Sequence, residues 1–362
     1  MDPVTHMMTG ACLSRAGLNR KTGLATLTLT LALEAPDIDS FTYFGGGITG
    51  LQHHRGITHS FVGAPFVALL VLAIVYGVNF CRQRWGAQSR GPDSVAASRG
   101  ASRLPPNWKL LYGYALLGAL IHLFQDFTNN YGVRPFAPFS EKWYAWDIVF
   151  IIDPIMLVAL LLALTLPALM ALVTEEIGST KPQFRGRGAA IFALLCLGAV
   201  ILVRDFEHRR AVSALNERTY RDQDPVRASA FPQMLNPFAW NGVVETRDFF
   251  QVLPVDSAAG EIDPQNIGVV RFKPEETPVT LAAKKSRLGR VYLDWARYPL
   301  VTAEQIEGGR NQVQFEDLRF ESAEGLAQRR GPPLASYVVV DPHLRVEEMF
   351  TGRPPQAGRA GK

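Results

Sequence analysis

Cysteine is almost missing from this chain: three in 362 residues, Cys12, Cys81 and Cys196, with no short spacing between any two. That excludes a disulfide framework, a zinc ribbon and a redox pair. Long runs of one charge sign are missing too. The net charge is +4, but the basic residues are scattered along loops, which speaks against a nucleic-acid partner. The start Met1-Asp2-Pro3 lacks a basic n-region and no apolar h-region follows at once, so membrane targeting is expected from internal segments. Charge itself is scarce between about residues 60 and 203, whereas the chain from about 204 onward is mixed and charged.

Four stretches are apolar enough to cross or nearly cross a bilayer: 61–80, 110–127, 148–173 and the short 189–203. A spanning helix needs about 20 residues. Ahead of them, 3–18 and 22–33 read as two short helices joined by a basic turn and ended by Ala35-Pro36. Each is too short to span, so a helical hairpin dipping into the bundle is expected. The loop between the first two spans carries Arg82, Arg84, Arg90, Arg99, Arg103 and Lys109 against Asp93 alone, and the loop between the third and fourth carries Lys181, Arg185 and Arg187. Positive-inside bias puts both in the cytoplasm, and residues 53–59, the 129–147 loop and everything after the fourth span outside.

After residue 204 a polar helix is expected to run on to about Tyr220, followed by a proline-rich passage. Short β-type runs then come at 242–245, 249–255, 268–272, 291–293, 312–320 and 336–340, separated by turn signals such as Asp263-Pro264, Gly308-Gly309 and Gly331-Pro332. The expected architecture is an α-helical polytopic membrane bundle of about four spans plus an N-terminal helical hairpin, with a small C-terminal β-rich extramembrane domain. Its divisions are 1–203 for the membrane domain, 204–237 for a connector, 238–350 for an extracytoplasmic domain and 351–362 for a disordered tail.

On this map the costly ionisable groups collect at one level. His54 and His59 precede the first span; His122 and Asp126 sit one turn apart near the end of the second, on one helix face; Asp153 opens the third; Asp37 and Asp39 follow the hairpin, and His6 lies at the same end. Ionisable groups at membrane depth are read as functional by default, and imidazoles with carboxylates are what a divalent transition metal takes as ligands. Singly, each has a plainer reading. His122 could be an interhelical hydrogen-bonded contact, Asp37-Ile38-Asp39 a capped turn, His53, His54 and Arg55 a headgroup contact, and Asp153-Pro154 the cap of a kinked helix. His208 and His343 read as surface residues, and Asp294, Trp295 and Tyr298 as core or surface.

The start Asp2-Pro3-Val4-Thr5-His6, the turn Pro36-Asp37-Ile38-Asp39, the block His54-Arg55-Gly56-Ile57-Thr58-His59-Ser60 and the pair His122-x-x-x-Asp126 occur in that order. In this the chain resembles the bacterial membrane-bound metal-dependent hydrolases of the YdjM type over about residues 1–175. The resemblance implies His6, Asp37, His59 and His122 as first ligands, with His54, Asp39 and Asp126 as further ligands or partners behind them. Zinc is the first metal it suggests, with manganese or a two-metal site as alternatives.

For such an enzyme, Asp39 or Asp126 would take a proton and Arg55 would neutralise a phosphate or carboxylate oxygen. Thr58 and Ser60 read either as substrate contacts or as caps. The expected substrate is a membrane lipid or lipid-linked small molecule, with a protein partner for the C-terminal domain and a multi-pass place in the bacterial inner membrane. Two other classes compete: a metal-binding scaffold or regulator without catalysis, and a transporter. A transport path would continue polar groups to the other face, and the cytoplasmic halves of the spans offer none.

Overall fold

The computed structural model describes residues 1–88, 104–176, 186–327 and 333–352, without the side chains of 86–88, 171–176 and 327. Arg90, Asp93, Arg99, Arg103, Lys181, Arg185, the Gly331-Pro332 turn and the 353–362 tail lie outside the described residues. The chain divides into two compact units, one of Met1–Asp39 with Arg55–Leu202 and one of Ser40–His54 with Val203–Lys362.

The first unit is helical. Helix α1 (Pro3–Ala16) is capped by Asp2, whose carboxylate accepts the Thr5 N–H at 3.0 Å, and proline at its first turn has no N–H to lose. Helix α2 (Ala25–Glu34) packs against α1 so closely that a Cβ on Gly10 would stand 2.6 Å from the Leu29 carbonyl oxygen. In the second unit lies α3 (Gly47–His53); α4 (Ala64–Gln88) and α5 (Trp108–Phe127) return to the first. A Cβ on Gly118 of α5 would meet the Ala32 Cβ of α2 at 2.6 Å, so this glycine sets how near those helices come. Ala32, Ala68, Val71, Val75 and Ala115 form the small-residue core between α2, α4 and α5.

Helix α6 (Pro154–Glu176) begins at a genuine cap, Asp153, whose Oδ1 accepts from Ile155 N at 3.0 Å and Met156 N at 3.1 Å. Pro167 inside α6 cannot bond back to the carbonyl four residues earlier, at Ala163. The Arg15 guanidinium reaches that place, donating to Leu164 O at 2.8 Å and more loosely to Ala163 O. Helix α7 (Arg187–Asn216) ties in through Arg187, which donates to Ala16 O at 2.8 Å. Among the described residues three helices are long and apolar enough to cross a membrane, Ala64–Trp85, Trp108–Phe127 and Arg187–Asn216, and α6 supplies a shorter apolar helix, Pro154–Met170. Their outward side chains are apolar: Phe66, Leu69, Leu70 and Ile74 on α4, and Phe192, Leu195 and Leu202 on α7 are exposed. A surface of that kind suits hydrocarbon, not water.

The second unit holds two antiparallel sheets. Strands β1 (Arg227–Pro232), β2 (Ala239–Glu245), β3 (Phe249–Asp256), β4 (Glu261–Ile262) and β5 (Val269–Phe272) form one, with β3 pairing β2, β4 and β5. Next come α8 (Pro278–Lys285) and α9 (Arg287–Trp295), then β6 (Pro299–Gln305), β7 (Asn311–Asp317), a short α10 (Ala323–Ala327), β8 (Ser336–Val340) and β9 (Val346–Thr351); strands β6 to β9 pair in chain order. Strand β3 is buried on both faces. Phe249, Leu253 and Val255 join Ala211 and Leu215 of α7, while Phe250 and Val252 join Tyr298, Leu300 and Leu318. That is why 249–255 reads as a nearly continuous apolar run instead of alternating.

Several expectations need correction here. Residues 291–293 are not a strand but part of α9. Ser286 caps this helix by accepting from Gly289 N, and Leu288, Tyr292 and Trp295 bury one helical face. Residues 318–320 leave β7 as a 3-10 turn held by Asp317. Strand β1 falls within the passage read as connector, with Pro232 at its last position, where a missing N–H is tolerated. Trp295 and Tyr298 are core, and His343 is exposed, as expected. His208 is only partly exposed, its ring 5.3 Å from that of Trp240.

Candidate metal centre

The centre belongs to the first unit, and four pieces of backbone build it. Helix α1 supplies His6 and α5 supplies His122 and Asp126. The 3-10 stretch after α2 supplies Asp37 and Asp39, and the turn Ile57–His59 before α4 supplies His59. That turn is tight, since a Cβ on Gly63 would stand 1.8 Å from the Ile57 carbonyl oxygen. Its entry bends at Arg55, which is left-handed at φ +57, a conformation a non-glycine residue takes only when its surroundings hold it. Asp39 holds it: Oδ2 accepts Arg55 N–H at 2.9 Å and the Thr58 hydroxyl at 2.7 Å.

Asp37, His59, His122 and Asp126 bring one ligand atom each to within 4.8 Å of one another. From His59 Nε2 it is 3.0 Å to His122 Nε2, 3.2 Å to Asp37 Oδ1 and 3.4 Å to Asp126 Oδ2. From His122 Nε2 it is 3.5 Å to Asp126 Oδ2 and 3.8 Å to Asp37 Oδ1. An ion with tetrahedral bonds of about 2.0 Å separates its donors by about 3.3 Å, so these spacings suit a metal without rearrangement.

The backs of the rings settle which nitrogen faces inward. His122 Nδ1 donates to the Leu33 carbonyl at 2.6 Å, and His59 Nδ1 donates to Asp39 Oδ2 at 3.1 Å. Carbonyl and carboxylate oxygens only accept, so both Nδ1 atoms carry hydrogen; a ring that is neutral then turns its Nε2 lone pair inward, where Asp37 Oδ1, 3.2 Å from His59 Nε2, can likewise only accept. Two lone pairs 3.0 Å apart repel unless positive charge sits between them. One proton would relieve one pair, whereas a divalent ion satisfies all the converging donors together.

His6 stacks on His122 at a ring-centroid distance of 4.0 Å, and its Nε2 lies 3.4 Å from Asp126 Oδ1. Arg55 is 4% exposed. Its Nε is 3.1 Å from Asp126 Oδ2, its Nη1 donates to Asn129 Oδ1 and Gly132 O at 3.1 Å, and the guanidinium covers the Tyr131 ring. The terminal amine of Met1 is buried on Asp126 Oδ1, to which Asn129 Nδ2 also donates at 3.3 Å. Ser60 caps the turn, donating to Ile57 O and accepting from Gly63 N.

Thus His6, Asp37, His59, His122 and Asp126 converge, with Asp39 behind His59 and Arg55 behind Asp126. His54 belongs to the second unit. Sequence reasoning passed over Gln125, Asn129 and the Leu33 carbonyl, which support the ring and carboxylate positions. Gln125 and Asn129 flank Asp126, but an amide carries no signal until its partner is known.

Residues 1–210 match the family described as YdjM inner membrane protein. A stretch of 174 residues is 27% identical to the uncharacterized protein YfhP of Bacillus subtilis (strain 168), covering 46% of each chain, so the chain spans about half the length of that relative. No solved structure matches. The matched residues contain the whole His/Asp cluster and the apolar helices except the end of α7, and the chain belongs to the YdjM family of inner membrane proteins.

Proposed function

We propose that this protein is a membrane-bound metal-dependent hydrolase. His59, His122, Asp37 and Asp126 hold a divalent ion, zinc first and manganese or a two-metal arrangement as alternatives. The observation that carries the reading is the approach of His59 Nε2 and His122 Nε2 to 3.0 Å, with both carboxylates within reach. When bound, such an ion lowers the pKa of water toward about 7 and polarises the oxygen of the scissile bond. The protein's own residues do the rest. Asp39 fixes the His59 ring through Nδ1, and Leu33 O fixes His122. Arg55 pairs with Asp126 and donates from Nη1 to Asn129 and Gly132, which favours a positioning role over a clamp on substrate.

Asp37, at 14% side-chain exposure, is the most open of the four ligands, so substrate approaches past it. Either Asp37 or Asp126 accepts the proton as water attacks. The substrate class is a phosphoester carried on a lipid or lipid-linked molecule. Support for this comes from exposed Ile57, Phe61, Phe136 and Phe139, an apolar rim on the same unit, next to the start of α4. The finer topology also belongs to this reading: α6 as a fourth span, α1 and α2 as a hairpin within the bundle, and the second unit on the extracytoplasmic side.

Metal analysis of detergent-purified protein tests the centre: wild type holds metal and the His59→Ala/His122→Ala variant does not, and equal content in both rejects it. Turnover of phosphoester and lipid-phosphate substrates that chelator abolishes tests the hydrolase; a loaded protein with no such turnover is a scaffold. For orientation, a Gln251→Cys variant is labelled by an impermeant thiol reagent in intact cells, and labelling only after lysis overturns the topology.

A further inference from the structure

We infer that Gln125 is a positioning residue of the metal centre, acting through His6, and that with Thr9 it presents the His6 Nε2 lone pair as a further ligand. This rests on the metal reading above. The Thr9 hydroxyl donates to the Thr5 carbonyl at 2.8 Å, so the Thr9 oxygen is left as an acceptor. Gln125 Nε2 donates to that oxygen at 3.1 Å. With the amide nitrogen committed there, Oε1 turns to His6 and accepts from Nδ1 at 2.9 Å. Nδ1 therefore carries the ring hydrogen and Nε2 is bare.

That bare nitrogen is completely buried, makes no hydrogen bond, and points beside Asp126 Oδ1 at 3.4 Å. A flipped amide would leave the Nε2 proton only this 3.4 Å contact, beyond the ordinary N–H···O range of about 2.7–3.2 Å. All three rings of the centre then obey one rule: an acceptor behind Nδ1, and Nε2 inward. For His59 the acceptor is Asp39, for His122 the Leu33 carbonyl, and for His6 Gln125. Of the three, the Gln125 amide alone can turn over, and Thr9 is what orients it.

Zinc affinity of the full-length protein in detergent, measured by competition with a chromophoric chelator, tests this. Removing a partner behind a metal-bound histidine weakens binding by about 10- to 100-fold, and that loss is expected for Gln125→Leu. Gln125→Glu keeps an acceptor on Nδ1 and restores most of the affinity. Thr9→Val, which removes the hydroxyl that bonds the Gln125 amide, weakens binding in the same direction. In a His6→Ala background, Gln125→Leu has no further effect. Wild-type affinity in both Gln125→Leu and Thr9→Val overturns the inference, as does an equal loss on Gln125→Leu with His6 already gone, which would mark Gln125 as merely structural. A wild type that binds no zinc overturns the metal reading itself and this inference with it.

Discussion

Asp126→Asn is the most informative single change, because it keeps shape and removes charge at the point where ligands and support meet. Asp126 is completely buried, with Oδ2 3.1 Å from Arg55 Nε and 3.4–3.5 Å from the His59 and His122 nitrogens. Breaking a buried pair from one side costs about 3–5 kcal/mol, because the other charge stays buried without compensation. Arg55 keeps its hydrogen bonds to Asn129 and Gly132 and its place over Tyr131, but the Met1 amine loses its carboxylate as well, so a loss of about 3–5 kcal/mol is expected for the metal-free protein. Zinc at a hundredfold its Kd should stabilise wild type by a further 2.7 kcal/mol or so, a gain the variant forfeits with its anionic ligand. Unfolding in detergent, followed with and without zinc, reads both terms. If zinc stabilises Asp126→Asn as much as wild type, Asp126 is not a ligand. If the metal-free variant is as stable as wild type, the Arg55 pairing argument is wrong.

Asp39→Asn should weaken zinc binding by about 10- to 100-fold while leaving the ligand set intact, since Asp39 holds the back of His59 and the left-handed turn at Arg55; chelator competition measures it, and unchanged affinity removes Asp39 from the centre. In the sheet unit, burial and then the charge of Glu316, opposed by Arg271, push the Glu321 pKa from 4.5 to about 7. A folded pKa above the unfolded one means that stability falls as pH rises through that window, with the full penalty above about pH 7, at most about 3 kcal/mol. Glu321→Gln should therefore slow hydrogen exchange in β7 and β8 at pH 8 and do nothing at pH 4; equal exchange at both pH values would falsify the assignment.

Much of the centre was legible because its residues sit at places where polar groups are costly. His122 and Asp126 stand out at the end of an apolar helix, and Asp37 and His59 at the ends of others. Arg55 reads as a group that neutralises a phosphate or carboxylate oxygen, and only the structure sets its guanidinium beside Asp126, Asn129 and Gly132. Residues 291–293 read as a strand because three apolar-leaning residues carry no period, and the cap at Ser286 decides for helix.

What the sequence by itself determined is where this chain can meet lipid and where it cannot. Transfer of an apolar run into hydrocarbon depends on local composition alone, so α4, α5 and α7 were visible without any partner. The level at which imidazoles and carboxylates gather followed from the same reasoning. Only the tertiary structure decided which nitrogen each ring turns inward. That choice depends on an acceptor placed behind the ring by a distant segment, Leu33 for His122, Asp39 for His59 and Gln125 for His6. A hydrogen bond has direction, and no pattern along the chain records it.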